Sequence, residues 1–350
     1  MQASAVAPPP AALSVHIQDQ PQEPSQMELA FLSSSMEPHP QPIAQRSSER
    51  RRDRRGRDRQ ERDRLDQIKN TRDLELLSEA LNDEDVEVRQ MAVRALGEIE
   101  DVSAVELLSR ALTDSNAEIR RRAARALGKI EDAGAVEALG AALSDEDVEV
   151  RQTAIRALGD IEDVSAVEFL IPALTDSDVE IRRGAARALG EIEDAGAVEA
   201  LGAALNDEYL EVRQAAIRAL GDIEDVSGVE WLISALTDSN GEIRREAARA
   251  LGEIEDTVAL LALGEALNDE DLEVRQMAIR ALGKIQDVSA VDGLIPLLTD
   301  SNAEIRRRAA WALGEIADAR AVPALNLVAE DTDSRVRKAA TRALREIERR

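Results

Sequence analysis

A Val-Arg or Ile-Arg pair recurs along most of this chain at a constant spacing of 31 residues, and no other feature limits the fold as strongly. Nine such units fill residues 72–350 without insertion, and alternate units resemble each other most, so a 62-residue period overlies the shorter one. A fixed period of this length indicates a tandem array whose units pack on their neighbours. The arginines of the nine pairs are Arg89, Arg120, Arg151, Arg182, Arg213, Arg244, Arg275, Arg306 and Arg337.

Each unit predicts a hairpin of two helices. The second helix spans roughly Val86–Ile99 in the first unit, and its apolar residues are spaced as one face of an α-helix. The first helix, as in Ala104–Leu112, is shorter, and Ser103 and Glu106 are placed to form a capping box at its start. Because one hairpin is too small to enclose its own apolar face, we expect stacked hairpins that share a continuous core, which is an all-α solenoid.

The composition agrees with such an array. Aromatic residues make up 1% of the chain, and strong helix formers such as Ala and Leu supply much of its apolar surface. The chain has no cysteine, which excludes disulfides and thiolate metal sites. Its net charge of −26 repels nucleic acid and anionic membranes, and it has no apolar run long enough to span a bilayer. We therefore expect a cytoplasmic protein without nucleic-acid partners or membrane spans.

Three segments are predicted along the chain. Residues 1–45 are rich in Pro, Gln and Ser without periodicity, and we expect them to be disordered. Residues 46–71 form a charged segment that includes a degenerate N-terminal capping helix over Arg54–Asn70, unless its arginines serve to contact RNA. Residues 72–350 hold the nine repeats, and Arg345 in the last repeat suits an end that faces water.

A glycine recurs within the second helix of the first eight units. A glycine in a helix costs about 1 kcal/mol relative to alanine, so eight of them predict a close approach between helices. The glycines are Gly97, Gly128, Gly159, Gly190, Gly221, Gly252, Gly283 and Gly314.

The repeat motif D-x-x-x-E-V-R-x-x-A-x-x-A-L-G-x-I-E-D-x-x-A-V-E resembles the HEAT-like repeats named after phycocyanobilin lyases. It is also similar to artificial consensus repeats derived from that family. The resemblance covers residues 72–350 and implies a right-handed superhelix, but it implies no lyase activity. It further implies a ladder between units, made by the recurring arginine and an aspartate of the turn between the helices. The matching aspartates are Asp83, Asp114, Asp145, Asp176, Asp207, Asp238, Asp269, Asp300 and Asp331.

In solenoids of this kind the second helices line the concave face, where partners dock. We therefore assign partner binding to positions two and five after the ladder arginine. Position two varies most, through selection for a contact or through neutral drift. The arginines at position five either attract an acidic partner or pair with nearby glutamates. Trp311 replaces one of them, as an interface anchor or as packing over a neighbouring arginine stem. The assigned residues are Met91, Arg94, Arg122, Arg125, Thr153, Arg156, Arg187, Arg218, Glu246, Arg249, Met277, Arg280, Arg308 and Trp311.

One position of the first helix alternates between large residues and alanine until Gly293. These residues are either knobs packed between adjacent first helices or a binding stripe. The row is Leu107, Ala138, Phe169, Ala200, Trp231, Ala262, Gly293 and Ala324.

The sequence predicts a non-enzymatic scaffold for protein–protein recognition, with no cofactor and no metal. Its two histidines, His16 and His39, lie in the N-terminal tail, and no nucleophile–base set or phosphate-binding loop can be identified. Two alternatives stay open. One is an accessory or regulatory subunit of an enzyme, lyase-like or associated with a metallopeptidase. The other is a self-assembling repeat protein that forms homo-oligomers.

Overall fold

A computed structural model describes residues 62–349 of the chain. The predicted disordered tail at 1–45 and the beginning of the charged segment at 46–71 lie outside these residues. Every regular element within 62–349 is a helix, and this part of the chain contains no strand. A first helix at 62–69 precedes a regular succession of helix pairs with a 31-residue period. The fold is the all-α solenoid that the repeat predicts.

Each repeat consists of a short A helix, which a 3-10 turn precedes from the second repeat onward, and a longer B helix. The A helices are Leu74–Ala80, Val105–Ala111, Val136–Ala142, Val167–Ala173, Val198–Ala204, Val229–Ala235, Leu260–Ala266, Val291–Leu294 and Val322–Val328. The B helices are Val86–Ile99, Ala117–Ile130, Val148–Ile161, Val179–Ile192, Leu210–Ile223, Gly241–Ile254, Leu272–Ile285, Ala303–Ile316 and Ser334–Arg349.

A polar side chain caps the start of most B helices. The Asn116 side chain accepts hydrogen bonds from the backbone N–H groups of Glu118 and Ile119, at 3.0 and 3.3 Å, which satisfies donors that the helix leaves unpaired. Tyr209 occupies this place in the fifth repeat and makes no side-chain cap. Its ring packs instead against Arg182, whose guanidinium carbon lies 5.3 Å from the ring centroid, within the range of a cation–π contact.

The entry into the A helix differs from the capping box predicted at Ser103 and Glu106. The Asp101 side chain accepts a hydrogen bond from the backbone N–H of Ser103 at 2.9 Å and caps the 3-10 turn Val102–Ala104. This turn leads directly into the A helix, which has no side-chain cap of its own. The prediction was wrong because helical structure starts one turn earlier than the sequence pattern suggested.

Stacking of the hairpins buries one continuous core. Leu96 and Leu127 on consecutive B helices and Leu108 on the A helix between them are fully buried. The helix at 62–69 covers the N-terminal end of this core with Ile68, which is also buried. Its Arg64 forms an ion pair with Asp83 at 2.5 Å, so the aspartate of the first repeat has a cationic partner although no repeat precedes it.

The recurring glycines lie where consecutive B helices come closest, as predicted, but the interfaces are of two kinds. In the second, fourth, sixth and eighth repeats, a Cβ on the glycine would lie 2.7–2.9 Å from the Cα of the facing alanine. In the first, third, fifth and seventh repeats this distance is 3.0–4.0 Å. Tight and wide interfaces therefore alternate along the stack.

A branched side chain explains the wide interfaces. Four residues after the ladder arginine, the second, fourth, sixth and eighth repeats hold alanine, whereas the odd repeats before the ninth hold valine or isoleucine. The Cγ2 of Ile155 would lie 3.3 Å from a Cβ at Gly184 of the next repeat, so this side chain lies between the two helices. Larger side chains at a helix contact increase the distance between the axes. The branched residues are Val93, Ile155, Ile217 and Ile279.

The alternating row on the A helices forms knobs, which confirms the packing interpretation for Phe169 and Trp231. Trp231 covers Gly202 so closely that a Cβ there would lie 2.3 Å from a ring carbon, and Phe169 covers the glycine of the third repeat in the same way. Gly264 is the next glycine of this series, and a Cβ placed on it would meet no neighbouring atom within 4 Å. The socket is empty because the facing residue, Gly293, has no side chain.

Replacing Gly128 by alanine should lower the free energy of unfolding by about 1–3 kcal/mol, the usual cost of overpacking. The new Cβ would lie 2.9 Å from both the Cα and the Cβ of Ala157. Gly97→Ala is the matched control, because there only the Cβ of Ala126 is near, at 3.1 Å, and alanine favours the helix by about 1 kcal/mol. Urea denaturation measures both changes, and equal losses would contradict the alternation of interfaces.

Replacing Gly293 by phenylalanine should raise the thermal stability. The ring would fill the socket over Gly264, where burial of an aromatic side chain contributes about 1.5–3 kcal/mol, and removal of a helical glycine adds about 0.5–1 kcal/mol. The matched variant Trp231→Gly creates the same empty socket over Gly202 and should lower the stability. Circular dichroism during heating follows both, and a lower midpoint for Gly293→Phe would show that the socket does not accept a ring.

Candidate protein interface

The B helices form the inner side of the stack. Consecutive B helices pack closely together, whereas the backbones of consecutive A helices make far fewer close approaches. We call the outward residues at positions one, two, five and nine after each ladder arginine the B-helix face. This face contains all the residues that the sequence assigns to partner binding.

A ladder of arginine–aspartate contacts runs beside this face and connects each repeat with the next. Arg120 donates from Nε and Nη2 to the two carboxylate oxygens of Asp145, one repeat ahead, at 2.6 and 2.7 Å. Its Nη1 donates to the backbone carbonyl of Asp114 in its own repeat, at 2.9 Å. The two ion-paired side chains are each only 9% exposed, and bidentate charged hydrogen bonds of this kind are strong. The same bidentate contact joins Arg89–Asp114, Arg182–Asp207, Arg244–Asp269 and Arg306–Asp331.

The ladder weakens at the wide interfaces. Arg151 and Arg213 approach the next aspartate only to 3.4 and 3.2 Å, and their buried Nε atoms make no hydrogen bond. Arg275 donates only to backbone carbonyls of its own repeat. All three belong to repeats that carry the isoleucine between B helices. Arg89, whose repeat has the smaller Val93, keeps the bidentate contact, although a Cβ at Gly97 would lie 4.0 Å from the Cα of Ala126, the longest such distance of the eight. The loss of the bidentate contact therefore accompanies the isoleucine rather than the distance between the helices.

The ladder contact favours the ionised form of Asp145. Burial opposes the charge on Asp145, but hydrogen bonds from Arg120 and from the backbone N–H of Asp147 outweigh it and lower the pKa of this carboxyl below its ordinary value. Because the pKa is lower in the folded chain, the ladder contributes stability above the unfolded pKa. That contribution is lost as the pH falls through the folded pKa.

Asp145→Asn should lower the free energy of unfolding at pH 7 by about 1.5–3 kcal/mol, because it removes a charged partner of Arg120. The amide oxygen can still accept the N–H of Asp147, so the local turn is retained. The difference from the parent should shrink as the pH falls below the ordinary pKa of 3.8, because the unfolded parent then binds a proton that the folded parent, with its lowered pKa, still lacks. Asp300→Asn is the matched control, since Arg275 does not reach that side chain. Urea denaturation at pH 7 and at pH 3 measures these changes, and equal losses at both sites would contradict the ladder assignment.

The predicted partner-binding residues occupy two rows of the B-helix face. Position five is exposed in most repeats, whereas position two is half-buried or buried between consecutive helices. The exposed members are Arg94, Arg125, Arg156, Arg187, Arg218 and Arg280. The half-buried members are Met91, Arg122, Thr153, Arg249, Met277, Arg308 and Trp311.

The exposed arginines differ in how they are paired. Arg94 donates to Glu98 at 2.9 Å, and Arg187 lies 3.6 Å from Glu191, which confirms pairing with a neighbouring glutamate for these two residues. The others make no hydrogen bond or ion pair with the described part of the chain, so their charges can reach a partner. These arginines are Arg125, Arg156, Arg218 and Arg280.

Two of the assigned residues direct their polar groups into their own repeat. Glu246 is only 9% exposed, and it accepts hydrogen bonds from Arg245 at 3.0 Å and from Arg249 at 2.9 Å. Burial opposes its ionisation, but the two arginines lower the pKa of Glu246 below its ordinary value. The Thr153 hydroxyl donates to the backbone carbonyl of Glu149 at 2.7 Å. These side chains offer a partner little free hydrogen-bonding capacity.

Grooves lie between several consecutive B helices. Those of the first and second, third and fourth, and fourth and fifth repeats measure about 330, 190 and 340 Å³. The groove of the eighth and ninth repeats measures about 550 Å³ and includes Trp311. The indole ring of Trp311 lies over Gly283 of the seventh repeat, where a Cβ would be 2.8 Å from Cζ3. A glycine of the preceding repeat therefore supports part of the ring.

Charge is divided unequally between the two sides of the array. Within 72–349, the B helices hold 29 basic and 17 acidic residues, whereas the A helices and turns hold 3 basic and 43 acidic residues. Nine of the basic residues are the ladder arginines, which are directed toward the turns. The B-helix face itself holds 17 basic and 8 acidic residues, so it carries a positive excess in a strongly acidic protein. The net charge of the chain conceals this division, although the sequence shows it once helices are assigned.

The described residues include no group of three or more acidic or histidine side chains that could hold a metal ion. None of the helices within 62–349 is both long and apolar enough to cross a membrane.

Comparison with known proteins agrees with this geometry. The family model for HEAT repeats matches four overlapping stretches, at residues 74–147, 136–221, 198–271 and 260–345. The chain belongs to the HEAT repeat family. The resemblance seen in the sequence is thereby confirmed, and the A and B helices are the helix pairs of HEAT repeats.

Several solved structures are similar to this HEAT-repeat chain. An engineered protein is 32% identical, with a TM-score of 0.53 over 81% of this chain and 90% of that one. Importin beta is 16% identical, with a TM-score of 0.56 over 79% of this chain and 45% of its own length, which is a likeness of fold alone. The complex of CpcE and CpcF of phycocyanin lyase from Nostoc sp. PCC7120 is 25% identical over 70% of this chain and 94% of that chain, with a TM-score of 0.39. A search of curated proteins finds no match.

Proposed function

We propose that this HEAT-repeat protein is a non-enzymatic scaffold that binds a protein partner through the B-helix face. The observation that carries the proposal is the division of charge. The A helices and turns repel acidic surfaces through their excess of carboxylates, whereas the B-helix face holds 17 basic and 8 acidic residues. An acidic or neutral partner can therefore approach this face without long-range repulsion.

The B-helix face also has the contacts that a protein interface needs. Met91, Met277 and Trp311 supply apolar surface at intervals along the array, and unpaired arginines lie between them. Aromatic residues and arginine are enriched among the residues that dominate binding energy. The ladder and the glycine contacts fix the spacing of these side chains before a partner arrives, which reduces the entropic cost of association.

The ends of the array argue against unlimited self-assembly. In the ninth repeat Arg345 occupies the place of the recurring glycine, so a tenth B helix could not approach as closely as the others do. At the other end, the helix at 62–69 already covers the core, and Arg64 pairs with Asp83. An accessory subunit of an enzyme remains compatible with the proposed surface, because it too would bind a protein.

Selection of ligands from a random-peptide display library on the full chain tests the proposal. We expect the selected peptides to bind at least tenfold more weakly to the double variant Arg156→Glu/Arg218→Glu at physiological salt. The matched variant Glu137→Arg/Glu199→Arg alters the same number of charges on the A helices and should change affinity less than twofold. Circular dichroism establishes that both variants are folded. Stronger losses for the A-helix variant would place the interface on the opposite side.

A further inference from the structure

We propose that the groove between the eighth and ninth B helices binds an acidic peptide segment that carries a pair of large apolar side chains. The inference rests on the proposed use of the B-helix face and identifies the chemistry of one partner segment. The groove differs from the other grooves between B helices described above in its volume and in its aromatic wall, and like them it has a cation without a partner at its rim.

Trp311 provides the apolar anchor. It is the only aromatic residue on a B helix within 62–349, and arginine occupies this position in the other eight repeats. One part of the ring packs on Gly283, which fixes its position, and the half-buried remainder lines the groove. The neighbouring lining residues Gly314, Ala339 and Ala343 are small, so space beside the ring is left for a large side chain. A volume of about 550 Å³ lies within the range of ligand sites.

The carboxylates around the groove are already paired. Glu304 accepts hydrogen bonds from Nε of Arg307 and from Nε of Arg308, each at 2.9 Å. Glu346 lies 3.4 Å from Arg349. A basic ligand would have to displace these internal partners, and each displaced arginine would lose its own ion pair.

One cation at the groove has no partner and a second has only a distant one. Lys338 makes no hydrogen bond or ion pair with the described residues, and Arg342 is paired with Glu315 at 3.9 Å. The two are four residues apart and so lie on the same side of the helix. The whole helix Ser334–Arg349 holds six basic and two acidic residues. The groove therefore carries positive charge that no carboxylate of the described chain neutralises, and an acidic peptide complements this charge.

The test uses a labelled peptide of about ten residues in which glutamates and aspartates flank a central Leu-Phe pair. The full chain carries Trp231→Phe, so that Trp311 is the single tryptophan and the A-helix knob is kept as a phenylalanine like Phe169. We expect the peptide to bind with a change in Trp311 emission, and anisotropy to give its affinity. Raising the salt concentration should weaken binding, because the contacts are partly ionic.

Variants of the groove distinguish the contribution of the Trp311 side chain to binding from that of the basic residues. Trp311→Arg restores the residue found in the other repeats and should weaken binding at least tenfold, as should the double variant Lys338→Glu/Arg342→Glu. The matched control is Arg72→Glu/Arg110→Glu, which makes the same change of charge outside the B helices and should leave affinity within twofold. A peptide with Ser-Ser in place of Leu-Phe should bind at least tenfold more weakly.

Three results would overturn the inference. They are the absence of peptide binding, equal binding of the Ser-Ser peptide, and full affinity in Trp311→Arg. Concentration-dependent dimers that Trp311→Arg abolishes, detected by sedimentation, would assign the groove to a second copy instead. If library ligands still lose affinity for Arg156→Glu/Arg218→Glu, the B-helix face stands and only the groove assignment fails. If neither set of variants affects any ligand, both proposals fail together.

Discussion

The side chains packed between consecutive B helices control most of the contacts that join one repeat to the next. Where the helix glycine faces an alanine directly, the backbones nearly touch, and the ladder arginine reaches the aspartate of the next repeat with two hydrogen bonds. Where Ile155 or an equivalent isoleucine lies between the helices, the same arginine falls short and its Nε is left unpaired. Packing of small residues thus comes first, and the ionic contacts depend on it.

The ladder also bears on how charge is divided between the two sides of this acidic protein. Its arginines project from the B helices toward the turns, where they neutralise aspartates and bind backbone carbonyls, as Arg120 does. Apart from the ladder arginines, the B helices hold basic and acidic residues in similar numbers. The acidic excess of the described chain lies in the A helices and turns. One set of residues therefore both connects the repeats and sets the electrostatic character of the two sides.

The repeat period and the helix pattern were enough to predict the solenoid, the helix bounds of the B helices and the buried positions such as Leu96. The rows of candidate contact residues could also be placed, because helical spacing determines which positions face outward. Details that depend on competition between side chains could not be predicted. Glu246 could not be assigned to an internal network, since that depends on the rotamers of Arg245 and Arg249. The start of the A helix was missed because Asp101 caps a 3-10 turn that has no periodic signal.

The alternation of interfaces has a mechanical consequence. Two hairpins joined by a tight interface share close backbone packing and a complete ladder contact, so they move as one stiff block. The wide junctions between blocks have neither the backbone contact nor, in most cases, the bidentate bridge, and bending is concentrated there. We therefore expect the array to bend mainly at every second junction between hairpins. How easily it bends there depends on the one valine or isoleucine that lies between the two B helices.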